Sequence, residues 1–321
     1  SRSILSLRIS KLYWQKKKLF RLKGGNILKE NGLKVICEGH LPWMKGWEVS
    51  YMSPEEFVAS EDYESTIMLM TTNEKRIVED TPFSQRLKRQ KGKVGFYIHS
   101  TRAQVCGPEL FSFVSWTEQE LYSHFSYLFT GTPSVAKAIR SKFGREVTAV
   151  GLPISLPKPT GVRKKEIIAI NQRLQDDNQP YLLLSYMERR KDLNFRVLQN
   201  SSWEIPEPIE RRFNEMENVE VRYSEGKEEY LKLLEECSIL LSFTFSETFS
   251  VSLFEGVALG LCPVFPDVIG VEDIIDNRYE PYSYRDIDEK IRTREIKTLP
   301  YYDWISKTRF LDRLRQVNFI D

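Results

Sequence analysis

The chain has 321 residues, 41% of them hydrophobic and 29% charged, with a net charge of +2. This is globular composition, long enough for two domains of about 150 residues that each bury a core. No run of about 18 apolar residues occurs, Ser1–Ser10 lacks the layout of a signal peptide, and the four cysteines and three histidines are dispersed. Transmembrane, secreted-disulfide and zinc-site readings are therefore set aside, and free buried thiols in a reducing cytoplasm are expected.

Short apolar runs alternate with amphipathic stretches, the βαβ pattern of parallel sheets. In chain order the pattern predicts strands over Ile4–Ile9, Leu33–Glu38, Thr66–Met70, Val94–His99, Tyr127–Phe129 and Val147–Val150. Helices are expected over Pro54–Ala59, Asn73–Lys88 and Ser134–Phe143. Ser155–Arg163 carries Pro157, Pro159 and Gly161 and reads as a linker. A second series follows: strands at Tyr181–Ser185, Val219–Tyr223, Ile239–Phe243 and Cys262–Phe265, helices at Glu228–Cys237 and Ser252–Leu259, and an amphipathic tail at Trp304–Val317. The division expected is a first domain over 1–157, a second over 158–303, and a C-terminal helix over 304–321 that returns to the first. Ligands of open α/β sheets bind at the carboxyl ends of the strands, so a cleft between the domains is the expected site.

The segment Ile239–Ile275 carries the most chemistry. A buried strand runs into a polar loop with Glu247, then Thr248-Phe249-Ser250-Val251-Ser252 and a helix that contains Glu255. Free N–H groups at that helix start suit phosphate oxygens. A carboxylate, acceptor-only when ionised, suits sugar hydroxyls or the vicinal diol of a ribose. Singly, Glu247 reads as a helix cap and Glu255 as an exposed helical residue; their spacing and flanks favour a site.

These residues resemble the E-x7-E region of the retaining GT-B glycosyltransferases, the large glycosyltransferase family 4-like group. The family pattern E-G-F-G-L-x-x-L-E-A-M-A-x-G-x-P-V stands here as Glu247-Thr-Phe-Ser-Val-Ser-Leu-Phe-Glu255-Gly-Val-Ala-Leu-Gly-Leu-Cys-Pro-Val, with Thr248 and Ser250 replacing two glycines. The resemblance implies an α/β GT-B fold, two Rossmann-like doubly wound domains facing across a cleft. It implies that Glu247 contacts the donor sugar, Glu255 the nucleotide ribose, and the backbone of Phe249, Ser250 and Val251 the sugar and diphosphate. Tyr181–Leu193 resembles the family's first strand of the second domain and its G-R-L-x-x-x-K-G turn. Lys191 then falls on the diphosphate lysine, Tyr186 on the arginine position, and Arg189 or Arg190 would replace that arginine. His99 resembles the strand-terminal histidine beside the transferred sugar, and Gly25 a remnant of the glycine-rich phosphate loop.

The activity so implied is transfer of a sugar, with retention, from a nucleotide-diphosphate donor (a UDP-sugar favoured) to a hydroxyl, with no cofactor and no essential metal. Asp286-Ile287-Asp288 has the letters of a metal-binding D-x-D but lacks a preceding apolar strand, and is read as chance. Up to Thr160 there are 24 basic and 15 acidic residues, and afterwards 23 and 30, so the first half is the basic one. An anionic acceptor is the inference, with Lys16, Lys17, Lys18 and Arg21 as one basic patch and Arg86, Lys88 and Arg89 as another. Modified DNA, as in viral base glucosylation, is slightly preferred. A membrane glycolipid or polysaccharide, met at the inner membrane face, is the alternative. A nucleotide-sugar 2-epimerase and a non-catalytic sugar-nucleotide or nucleic-acid binding module are further readings.

Overall fold

Six parallel strands build the first sheet: β1 (Leu33–Cys37), β2 (Ser50–Met52), β3 (Thr66–Met70), β4 (Val94–Tyr97), β5 (Tyr127–Thr130) and β6 (Thr148–Ala149), in the order β2-β1-β3-β4-β5-β6. Six more build the second: β7 (Lys165–Ile170), β8 (Phe195–Asn200), β9 (Val219–Ser224), β10 (Cys237–Leu241), β11 (Cys262–Pro266) and β12 (Arg278–Tyr279), in the order β12-β11-β10-β7-β8-β9. This computed structural model describes residues 33–37, 50–60, 65–70, 75–99, 118–174, 178–200, 205–244, 247–294 and 302–321. All of them belong to one unit, Gly32–Asp321. The predicted strand Ile4–Ile9, Gly25, and the patch Lys16, Lys17, Lys18 and Arg21 lie outside the described residues.

Strands covered on both faces read as continuous apolar runs. Thr66–Met70 and Cys262–Pro266 do so, and both are buried. Helix α1 (Pro54–Ala59) starts where the sequence places it, because Ser53 and Glu56 form a reciprocal capping box with Pro54 in the first turn. The predicted helix over Asn73–Lys88 is instead two, α2 (Lys75–Val78) and α3 (Pro82–Lys88). Pro82 cannot continue a helix, and Thr81 caps a new one by accepting the Ser84 N–H at 3.1 Å. Helix α4 (Pro133–Phe143) ends on Gly144 in the left-handed conformation.

The largest departure from expectation is at Tyr181–Ser185, which is helix α5 (Pro180–Arg189) and not a strand. Its buried residues Leu183, Tyr186 and Met187 keep helical spacing, and a short apolar run alone does not distinguish the two. The strand that opens the second sheet is β7, whose first residues, Lys165 and Glu166, are exposed and hide its apolar end. The series continues with α6 (Glu207–Asn214), α7 (Lys227–Glu235), α8 (Val251–Ala258) and α9 (Tyr284–Thr293). Read from β9, the strands follow the 3-2-1-4-5-6 order of a doubly wound fold, and the order reverses between β7 and β10.

Residues 155–163 have no regular structure. Glu235, at the end of α7, holds this segment by accepting the Thr160 N–H at 2.6 Å and the Thr160 hydroxyl at 2.9 Å. Beyond the second sheet, α10 (Tyr302–Ile305) and α11 (Lys307–Gln316) return to the first. Leu152 N–H donates to the Trp304 carbonyl at 2.8 Å, and the Phe319 ring lies 4.8 Å from Phe129 and 5.0 Å from Tyr127. Gly95 leaves space for that ring: a Cβ there would stand 2.9 Å from Phe319 Cζ.

Candidate functional site

Where the strand order reverses, the connections leave in opposite directions and open a crevice at the carboxyl ends of β7 and β10. Gln172 ties the two exits together. Its side-chain oxygen accepts the Phe243 N–H at 2.6 Å and the Ser242 hydroxyl at 3.2 Å, and its amide donates to the Asn178 carbonyl. Tyr279 adds a hydrogen bond of 2.7 Å to the Ser242 carbonyl. The residues that leave this crevice are thus fixed by buried polar contacts, which rigidify a site when fully satisfied.

The β10 exit carries Glu247, half-buried, with its N–H donating to the Ile269 carbonyl at 3.2 Å. Gly270, at φ +90°, lets the chain pass against the Glu247 carbonyl, where a Cβ would collide. Thr248, Phe249 and Ser250 are buried, and Ser250 is the N-cap of α8, with its hydroxyl 3.3 Å from that of Ser252. The N–H groups that open α8, from Val251 on, have no partner within the helix by its geometry, and they carry its positive dipole end.

One turn further in, Glu255 is buried with its side chain only 4% exposed, and it pairs with Lys227. Lys227 opens α7 and lies 4.7 Å above the Tyr230 ring. Asn171, just past β7, donates to the Tyr230 hydroxyl at 2.6 Å. Burial raises the Glu255 pKa, while Lys227 and a hydrogen bond from Tyr230 oppose that rise. Glu255 is therefore a buried, paired carboxylate at the crevice, not the exposed helical residue that its position taken singly suggests.

From the first sheet, the exit of β4 reaches the same place. The Thr248 hydroxyl donates to the His99 carbonyl. Burial lowers the His99 pKa, which favours a neutral imidazole. The exit of β5 also contributes: Gly131 packs against Phe249, Ser134 N–H donates to Asp273 Oδ2 at 2.9 Å, and the Ser134 hydroxyl accepts the Gly270 N–H at 3.0 Å. Thr248 thus has a structural task between the two sheets.

The remaining expected site residues are elsewhere. Arg189, Arg190 and Lys191 end α5 and precede β8, so they stand at the amino-end edge of the second sheet, opposite Glu247. Arg190 pairs with Asp192 and Asp288, Arg189 lies 5.2 Å above the Tyr284 ring, and Lys191 is exposed in the turn. Tyr186 is buried in α5 and donates to Asp288 Oδ1 at 2.7 Å. These positions follow from the strand order: β7 opens the second sheet, and Gln172, Arg173 and Leu174 follow its carboxyl end. Arg173, beside Gln172, is an exposed cation just past that strand, and the apolar Ile167–Ile170 run before it is the sequence signal for the strand. Asp286 and Asp288 lie on α9, Asp286 bonded to Ser283 and Glu280. Among the described residues no cluster of three His, Cys, Asp or Glu side chains could hold a metal ion.

The second basic patch also moves. Arg86, Lys88 and Arg89 lie at or just past the end of α3, ahead of β4, at the amino-end edge of the first sheet. Arg86 is only 2% exposed; it donates to the Ser60 carbonyl at 3.1 Å and lies 4.5 Å above the Phe57 ring. It is part of the packing. No helix among the described residues is long and apolar enough to cross a membrane.

Two parallel doubly wound sheets that meet through their strand exits constitute a GT-B fold, and solved structures agree. The chain is similar to a TarM variant of S. aureus in complex with fondaparinux, alpha-GlcNAc-glycerol and UDP, at 12% identity and TM-score 0.58 over 78% of this chain and 55% of that one. It is similar to Anabaena HepE in complex with UDP-glucose, at 11% identity and TM-score 0.62 over 81% and 89%. WaaB, a lipopolysaccharide outer core galactosyltransferase in its apo form, matches at 11% identity and TM-score 0.58 over 89% and 99%. At these identities the likeness establishes the fold. The chain spans about half the length of TarM. No protein-family model and no curated protein matches the sequence.

Proposed function

We propose that the protein is a glycosyltransferase that takes a sugar from a nucleotide diphosphate, a UDP-sugar in the first instance, and passes it to an acceptor hydroxyl with retention of configuration. The observation that carries this reading is the convergence of Glu247, the start of α8 and the buried Glu255 on the crevice between β7 and β10. In a diphosphate departure the main task is to stabilise developing negative charge. The α8 start and Arg173 supply positive potential for that, while Glu247 faces sugar hydroxyls and Glu255 the ribose. His99, neutral, is suited to a hydrogen bond with the transferred sugar and not to a charge. No bound metal enters this scheme, so EDTA leaves turnover unchanged.

For the acceptor we carry forward a glycolipid or polysaccharide hydroxyl. TarM was solved with alpha-GlcNAc-glycerol and WaaB acts on lipopolysaccharide outer core. The DNA reading loses the patch at Arg86, Lys88 and Arg89, which lies at the strand amino ends. The test is incubation with UDP-glucose, UDP-galactose and UDP-GlcNAc while UDP release is followed, with proton NMR of the product anomer. Slow UDP release from one donor, rising with a saccharide acceptor and giving the retained anomer, is expected. Isomerised donor would identify an epimerase, tight binding without release a non-catalytic module, and stimulation by DNA would restore the nucleic-acid acceptor.

A further inference from the structure

The pair Lys227–Glu255 has a feature that fold stability does not explain. Lys227 is the first residue of α7, where the positive end of the helix dipole disfavours a cation. Glu228 and Glu229, next in the same turn, have the favoured sign. The lysine nevertheless turns its ammonium to Glu255 on α8, bracing it above the Tyr230 ring. Tyr230 is itself held by Asn171 from the exit of β7. Three elements thus converge on one carboxylate at the switch point.

Resting on the glycosyltransferase reading, we propose that Lys227 is a positioning residue for the donor nucleotide: it keeps the buried Glu255 ionised and aimed, so that the carboxylate can accept both hydroxyls of the ribose. A carboxylate has about four acceptor sites, whereas a protonated acid gives up part of that capacity to its own O–H. Lys227 and the Tyr230 hydroxyl take up two of these sites and leave about two open for a ligand. The Lys227 side chain is 40% exposed while that of Glu255 is 4% exposed, so the pair links the buried carboxylate to solvent. An isolated carboxylate as buried as Glu255 would meet its desolvation by taking up a proton. The titratable groups that act on it, Lys227 and Tyr230, both come from α7, and the neutral Asn171 faces them from β7.

The experiment is calorimetric titration of the full chain and its variants with UDP and with 2′-deoxy-UDP. Wild type is expected to bind UDP about tenfold more tightly than the deoxy form, the value of one lost hydrogen bond to a charged group. In Lys227→Met, UDP binding falls about tenfold and the preference for the ribose hydroxyl drops below about threefold. Lys227→Arg restores the preference, and Lys227→Gln repeats the loss should the Met variant fail to fold. In the Met or Gln variant the residual preference also rises with pH as Glu255 ionises. A folded Met or Gln variant that keeps the tenfold preference overturns the proposal. Wild type that binds UDP without any ribose preference overturns it too, and leaves the donor-site reading standing. Wild type that binds neither nucleotide removes the donor site and this inference together.

Discussion

The two edges of the second sheet carry similar residues in opposite circumstances. At the amino-end edge, Arg189, Arg190, Lys191, Asp192 and Asp288 are mostly exposed and pair with near neighbours. At the carboxyl-end edge, Asn171, Gln172, Lys227 and Glu255 arrive from different elements and are fixed by contacts that include buried ones. Surface ion pairs contribute at most about 1 kcal/mol, and their geometry aims at nothing beyond themselves. On the donor-site reading proposed above, charges placed around a switch point are held for a ligand. Position relative to the strand ends, more than residue type, separates a site from a decorated surface here.

The sharpest way to break this comparison is Glu247→Ala. It is expected to lower kcat/KM for the donor about 100-fold or more, measured by UDP release, with the melting temperature nearly unchanged. Turnover within a few-fold of wild type would place the chemistry elsewhere. Next comes a paired test: Arg173→Ala lowers kcat/KM about 10- to 100-fold, while Lys191→Ala stays within about twofold. The opposite order would return the diphosphate to the amino-end edge.

Smaller effects sharpen the same contrast. On the first sheet Arg86→Ala costs about 1–3 kcal/mol of stability, since it strips hydrogen bonds and ring contact from a buried guanidinium. Lys88→Ala and Arg89→Ala change stability by less than about 0.5 kcal/mol and leave turnover alone; chemical denaturation separates the three. The smallest effect concerns His99. Burial puts its folded pKa below the ordinary 6.5, so the unfolded chain binds a proton more readily. Its contribution is present above that value and is lost as pH falls below it. His99→Gln should flatten the decline of melting temperature between about pH 7 and pH 5; an unchanged slope would show that His99 is not the group responsible.

Local signals were most legible where they were complete. The helix expected over Pro54–Ala59 matches α1 to the residue, and the capping box of Ser53 and Glu56 is the physical reason its start is sharp. The run from Glu247 to Val264 marked a loop, a helix and a strand, because chemistry and periodicity coincide there. Thr81-Pro82 was overlooked as a start signal inside a longer amphipathic stretch, and one helix became two. The error with consequence was Tyr181–Ser185. Its apolar run suits either element, and only the packing of Leu183, Tyr186 and Met187 decides. A strand there would put Lys191 at a strand exit, whereas it follows helix α5 and precedes β8. The partnership of Lys227 with Glu255 was illegible for another reason: 28 residues separate them, and topology alone brings α7 and α8 together.

The seating of Phe319 between Phe129 and Tyr127 also bears on how the molecule is made. On a ribosome the chain emerges in order, and domains tend to fold as they appear. The second sheet has all its strands by Tyr279, but the first sheet, although synthesised earlier, lacks part of its core until residue 319 has left the exit tunnel. The half made first therefore gains part of its core only after the second sheet has all its strands.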